Sequence, residues 1–441
     1  MARPPFPPRA APPRRPVAAG GGNILWDISA LSLAGKLDLL AVAVLVAGYC
    51  LQMSVTTNMF LPGAMQIGMA LGYSVLIIYI GISVVRGRWL GAAAVSLYLL
   101  FLIWQVYHFH LVAGAPLKPL VVLSFFGPIA LAFVFQVARV PLRVLLAVLL
   151  IGCVLYTLYY IASEPIVSSY RGFEAAAGVL ASDGERAQRA YLASQLTAFV
   201  LFYGIASIRR RPLVAVLLIV IAGYALYLSQ SRFVQAVILI VAAMAIVNMM
   251  VPMTRRWTAW TLTAVLVTLS LWSLYGYIDA GINPYEPFLA DASGRARYLQ
   301  FIDAQPIVIR HFWLGVGLPT SVDDLQYFVR PRQPFFYTDL GVAGIAFVFG
   351  VPLTVLILAA MCATMVAIPN RDLATQPLVM ALFWTNQSGV FGTFFNFAAI
   401  FSGGLFLGLM LVLWMRGDAL DPVFRRRPEQ LRLTSRRGAE A

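Results

Sequence analysis

Arg209-Arg-Arg-Pro-Leu-Val-Ala-Val-Leu-Leu-Ile-Val-Ile-Ala-Gly-Tyr-Ala-Leu-Tyr-Leu-Ser-Gln-Ser-Arg232 is the stretch that decides the class of this chain. A basic cluster precedes an apolar run from Leu213 to Leu228, four polar residues follow, and a second apolar run opens at Phe233. Hydrocarbon offers no partner to a backbone N–H or C=O, so a run of this kind crosses a bilayer as a helix that satisfies its own backbone. The arginines then hold its first end on the cytoplasmic side.

The pattern repeats in both directions. Apolar runs at Leu37–Val55, Ala64–Val85, Trp89–Tyr107, Pro119–Ala138, Val144–Ala162 and Tyr191–Ile208 precede it. Phe233–Val251, Thr258–Ile278, Leu340–Ile368, Pro377–Val390 and Phe397–Met415 follow, the penultimate run being short and polar at Thr385, Asn386 and Gln387. The pattern predicts an all-α polytopic membrane protein of about 12 transmembrane helices, with a long loop between the ninth and tenth. Composition excludes a water-soluble fold independently: 61% of the 441 residues are hydrophobic, 11% are charged, and mean hydropathy is +0.82. Cys50, Cys153 and Cys362 all fall in apolar runs and read as small core residues, with no redox role.

A net charge of +14 would point to nucleic acid in a soluble protein, but here it divides between two sides of a membrane. Arg86/Arg88, Arg139/Arg143, Arg209 to Arg211, Arg255/Arg256 and Arg371 mark every second connection, and with both tails they hold 22 of the 32 Lys and Arg. Those connections and both termini are expected in the cytoplasm. The expected division is a disordered cytoplasmic tail over 1–36, a transmembrane catalytic domain over 37–415 and a cytoplasmic tail over 416–441. The long loops 163–190 and 279–339 then lie on the opposite side, and their eight arginines need another explanation.

Few charges occur within the spans, which argues against a pump that couples transport through mid-membrane carboxylates. Arg232 stands in a turn of about four residues at the outer face, where a planar guanidinium suits a phosphate or diphosphate. Snorkelling to lipid headgroups is the competing account. Arg297 opens a segment with helical spacing in which Tyr298, Phe301 and Ile302 face the membrane while Arg297, Gln300 and Asp303 point elsewhere. A surface helix with solvated charges is the alternative there. Gly315 and Gly317 mark a turn, and Asp339 is placed to cap a helix beginning at Leu340.

In order, the chain shows Ser-x-Ser-Arg232 between two spans, then a long loop with Arg297-x-x-x-hydrophobic and Gly315-x-Gly317, then Asp339-x-Gly341-x-x-Gly344 opening the next span. Over Gly204 to Phe349 this resembles the O-antigen polymerase and ligase superfamily. Its members are multi-span GT-C type enzymes that move a glycan from a polyprenyl diphosphate carrier to an acceptor at the periplasmic face. The resemblance implies that Arg232 and Arg297 hold the diphosphate, without cofactor or metal, in the bacterial inner membrane. Its implied partners are an undecaprenyl-diphosphate-linked oligosaccharide, an acceptor glycan, the lipid bilayer and a chain-length regulator, with no nucleic acid.

Chemistry adds Asp303, Asp339, Glu286 and His311 as candidate general bases, among which the sequence does not choose. Arg171, Arg310, Arg330 and Arg332 are further substrate-binding candidates, with Tyr298 and Tyr337 among aromatics that could stack on sugars. Asp323-Asp324 is the only adjacent acidic pair in the long loops that could take a cation, though such pairs are usually solvated. Ligases of the superfamily carry a His-Asn pair shortly before the acidic-x-Gly-x-x-Gly, and here Arg330-Pro331 stands in its place. That departure favours a polymerase over a ligase. A transporter or flippase is the reading from another class.

Overall fold

The computed structural model describes residues 28–53, 63–87, 89–117, 133–134, 137–138, 140–176, 192, 194–209, 211–229, 232–251, 254–279, 282–290, 292–319, 335 and 337–367. Among them there are helices and turns and no strand. The α-helices are α1 (Leu33–Met53), α2 (Ala64–Val85), α3 (Trp89–Ala113), α4 (Leu142–Ala176), α5 (Ser194–Ser207), α6 (Pro212–Ser229), α7 (Arg232–Met250), α8 (Thr254–Ile278), α9 (Ala292–Arg310), α10 (Val342–Phe349) and α11 (Val351–Ala367). Six of them, α1, α2, α3, α4, α6 and α8, are long and apolar enough to cross a membrane, and α5 and α7 are shorter apolar helices. Of the remaining expected spans, 377–390 and 397–415 lie outside the described residues, as does most of 119–138. Of the expected tails, 416–441 and the 1–27 part of 1–36 lie outside them too, while 28–36 are described and α1 already begins at Leu33.

Helices meet where small residues let backbones approach. A Cβ on Gly48 of α1 would stand 2.9 Å from the Gly68 carbonyl oxygen of α2, and one on Gly204 of α5 would stand 3.0 Å from that of Ala215 on α6. Among the buried polar groups of the helix bundle, two pairings bridge neighbouring helices, as a low dielectric favours. The buried carboxylate of Asp38 accepts a 2.7 Å bond from the Tyr79 hydroxyl, and the Thr157 hydroxyl of α4 donates to the Cys153 carbonyl at 2.7 Å while meeting Thr197 of α5 at 3.3 Å.

The structure corrects the sequence reading in several places. The expected loop 163–190 is helical as far as Ala176, because α4 runs for 35 residues through Pro165. That is about 52 Å of helix against about 30 Å of hydrocarbon, so the end of an apolar run need not be the end of its helix. The turn before Arg232 is shorter than expected, with only residues 230 and 231 between α6 and α7, and Arg232 is the first helical residue of α7. Gln235 closes that turn: its Nε2 donates at 2.7 Å to the Leu226 carbonyl near the end of α6, which also accepts the Ser229 hydroxyl at 2.7 Å.

The third correction concerns the expected single span Leu340–Ile368, which breaks at Gly350. Gly350 has φ 79°, and Pro352 beyond it has no N–H to offer the Val348 carbonyl. The break frees two carbonyls, and the loop supplies their donors: Val316 N–H bonds Phe347 O and Gly317 N–H bonds Val348 O, both at 2.9 Å. Val351 N–H turns instead to Phe312 O at 2.9 Å. Both freed carbonyls and the Val351 N–H are thereby matched. Asp339 does not begin this helix. It lies in a 3-10 turn, Tyr337–Leu340, and the residue that caps α10 is Gly341, with no side-chain bond.

Candidate functional site

α7 and α8 are joined by residues 251–253 and bonded near that connection through the Thr258 hydroxyl and Asn248 Oδ1 at 3.3 Å, so they run antiparallel. Arg232, at the start of α7, therefore lies at the same end of the bundle as Ile278, the last residue of α8. The long loop leaves from there, and α9 packs back against α8, α10 and the turn Tyr337–Leu340.

α9 is held by a polar and aromatic frame. Tyr277 of α8 stacks on Phe301 with centroids 4.7 Å apart and planes 11° apart, and its hydroxyl donates to the Ala343 carbonyl of α10 at 2.8 Å. Gln305 Nε2 donates to the Gly276 carbonyl at 2.8 Å. Asn283 Nδ2 donates to the Tyr298 carbonyl at 3.0 Å while its Oδ1 accepts Tyr285 N–H at 3.0 Å. The Tyr285 hydroxyl reaches the Leu340 carbonyl at 2.7 Å. Gly344 matters by close approach, since a Cβ there would run into the Tyr337 carbonyl oxygen.

Two glycines seat the other end of the loop. Gly315 and Gly317 have φ of 66° and 87°, and a Cβ on Gly317 would stand 2.5 Å from the Gln105 carbonyl oxygen of α3. Leu318 N–H bonds that same carbonyl at 3.1 Å, and His108 Nε2 meets the Gly315 carbonyl at 3.1 Å. The turn expected at Gly315 and Gly317 thus threads between α3 and the break after α10. Phe101 of α3 and Phe349 of α10, with centroids 6.1 Å apart, pack across the same gap.

This packing corrects the expected orientation of α9 at Phe301, which is core, while Ile302 stays outward and Gln300 is turned in. Gly294, Gln300, Phe301, Ala304 and Val308 are buried against the protein, while Leu299, Ile302 and Ile309 are exposed. At about 100° per residue, Arg297 falls at the centre of the buried face, with Phe301 and Ala304 one turn and two turns beyond it. Its side chain is half-buried, and its Nε is fully buried with no hydrogen-bond partner among the described residues. An arginine keeps its charge at any physiological pH, so this unmatched guanidinium nitrogen remains a charged donor in the interior.

The other expected site residues spread around this point. Tyr298 and Asp303 are half-buried on the flanks of α9, and Arg310, its last residue, is exposed. His311 follows, half-buried, with its pKa lowered first by burial and then by the charges of Arg310 and His108, which favours a neutral imidazole. Tyr337 is core: its ring stacks on Phe347 at 6.3 Å, its hydroxyl is buried without a partner among the described residues, and burial pushes its pKa up. Arg171 stands in the last turns of α4, and the side chains of Arg171, Arg232 and Asp339 lie outside the described part, as do Arg330, Arg332 and Asp323-Asp324 altogether.

Residues 217–358 match the family model described as O-antigen ligase. The match supports the O-antigen polymerase and ligase superfamily for this chain, and with it a membrane enzyme of glycosyltransferase type. It begins within α6 and ends within α11, so it takes in Arg232, Arg297 and the whole long loop and leaves out Arg171. No curated protein matches the chain.

The frame residues Tyr277, Asn283 and Tyr285, and the loop seats Gln105 and His108, were not singled out for these roles by sequence. Asn283-Pro-Tyr carried a turn signal that could have flagged the first group. The second group sits on a helix far away in the chain and carried none.

Proposed function

We propose that the chain is a polysaccharide polymerase of the bacterial inner membrane. It transfers a glycan from a polyprenyl diphosphate carrier to a sugar hydroxyl of an acceptor glycan at the periplasmic face, through a GT-C-like transmembrane domain with both termini in the cytoplasm. The observation that carries this reading is Arg297, a guanidinium turned into the protein with a buried nitrogen unmatched, on the segment that the O-antigen ligase family model covers.

The acceptor oxygen attacks the anomeric carbon, the bond from that carbon to the diphosphate oxygen breaks, and the electron pair leaves with the diphosphate on its carrier. Arg297 stabilises the charge that develops there, and Arg232, at the positive N-terminal end of α7, serves the same anion. The hydroxyl proton passes to a base, for which Asp303, Asp339, His311 and Glu286 are the candidates. His311, held toward its neutral form, has the protonation state a base needs. The transfer proceeds without a metal. Arg330-Pro331, where ligases carry His-Asn, favours polymerisation; the family description favours attachment of a finished glycan to another acceptor, the ligase reading. Transport of lipid-linked glycan is not favoured.

Purified protein given a lipid-linked oligosaccharide in excess chelator should lengthen it. Ligation only to a different lipid or protein acceptor would establish the ligase reading, and movement of the oligosaccharide across vesicles without any new bond would remove the enzyme altogether. Loss of activity in chelator, restored by a divalent ion, would move the site toward Asp323 and Asp324.

A further inference from the structure

On its outward side α9 carries a second apolar stripe, away from Arg297. Leu299, Ile302, Ile309 and Trp313 are 37%, 44%, 56% and 74% exposed, and with exposed Pro306 they follow one another at intervals of three and four residues. That spacing puts them in one line along a helix and its first turn beyond. Arg295 and Arg310 are exposed at the two ends of the line.

The line continues a surface of another kind. The outer end of α8, a helix long and apolar enough to cross a membrane, turns Trp272, Tyr275 and Ile278 outward at 40%, 50% and 70% exposure. Aromatic residues at the end of such a helix sit at headgroup level. Between the two helices runs an apolar groove of about 370 Å³, lined by Tyr277 and Ile278 of α8 and by Val308, Ile309 and Phe312 of the α9 segment. The exposed apolar side of α8 therefore passes through this mostly apolar groove into the outward stripe of α9.

We propose that α9 is an interfacial helix seated in the membrane leaflet at the Ile278 end of α8, with phospholipid acyl chains on its outward stripe and in the groove. Its depth is set by two features. Pro306 has no N–H, so the Ile302 carbonyl lacks its helical donor and needs water or a headgroup, which the hydrocarbon centre does not provide. Arg295 and Arg310 reach anionic headgroups at either end. One helix thus carries a lipid contact on one face and Arg297 on the other, which holds that guanidinium at the level of lipid phosphates.

The test uses the full-length chain in vesicles of phosphatidylcholine and phosphatidylglycerol, with its three native cysteines replaced by alanine and a bimane on Ile302→Cys, Ile309→Cys or, as the reference in the exposed turn, Glu286→Cys. Phosphatidylcholine brominated near the headgroup should quench most of the emission at 302 and 309 and little at 286, with iodide in the water doing the reverse. Equal quenching by iodide at all three positions would overturn the proposal, because the stripe would then face solvent. Protection from both quenchers at 302 and 309 would overturn it too, since a second copy would cover the stripe. If the cysteine-free chain fails to fold, a photoreactive residue at 302 in otherwise native protein decides the matter by crosslinking to phospholipid or failing to.

Discussion

Arg295 and Arg297 are the same side chain two residues apart on α9, and the protein treats them oppositely. A separation of two residues is about 200° around a helix, so one faces out and the other faces in. Arg295 is exposed, with its charge solvated; Arg297 lies on the face that packs against α8 and α10, with Nε buried and unmatched. Charge alone therefore says little about either residue. What distinguishes them is which side of the helix carries Phe301 and Ala304, because burial of those two fixes the rotation of α9.

The sharpest way to break this contrast is to change each arginine to lysine. Arg297→Lys keeps the charge and loses the planar fork of donors, and is expected to cut transfer of a lipid-linked glycan about a hundred- to a thousandfold with protein abundance in the membrane unchanged. Full-length polymer from this variant would make Arg297 an anchor. A smaller effect is expected from the frame. Tyr277→Phe removes the bond to the Ala343 carbonyl and should cost about 1 kcal/mol, read as a lower thermal midpoint of the purified protein, with the Phe301 stack retained.

Acid should loosen the far end of α9 before it affects the near end. His311 has a folded pKa below its ordinary 6.5, so the unfolded chain binds the proton more readily. Stability from this group is complete above about 6.5 and declines as pH falls from there through the lowered folded value. Hydrogen exchange around Phe312 to Leu314 should quicken over that window and lose its pH dependence in His311→Gln. The smallest effect belongs to Arg295→Lys: transfer within about twofold of the parent, as for a solvated surface residue. A large loss from Arg295→Lys, equal to that from Arg297→Lys, would erase the distinction between the two faces.

Much of the architecture was open to inspection in the chain itself. Apolar runs located α1, α2, α5, α6, α7 and α8 to within a few residues, and the start of α3, because a membrane helix writes its length into composition. Ser-x-Ser-Arg232, Arg297 and Asp339-x-Gly341-x-x-Gly344 pointed to the segment that the family model covers. The break at Gly350 was legible in principle, with Pro352 two residues on, yet an uninterrupted apolar run masked it: hydropathy counts side chains and is blind to which carbonyls have donors.

Sequence by itself thus determined that this is a helical membrane chain, and that two arginines and a glycine-rich loop merit chemical attention, since those properties depend on residue type and on spacing along the chain. Only the tertiary structure decided which face of α9 is inside. Both of its faces carry apolar residues, Phe301 and Val308 on one and Ile302 and Ile309 on the other, so periodicity alone allows either rotation. The choice comes from partners distant in sequence: the Tyr277 ring that receives Phe301, the Gly276 carbonyl that receives Gln305, and the broken helix end whose two free carbonyls draw Val316 and Gly317 inward. Each of these is a contact between groups the chain keeps far apart until it folds.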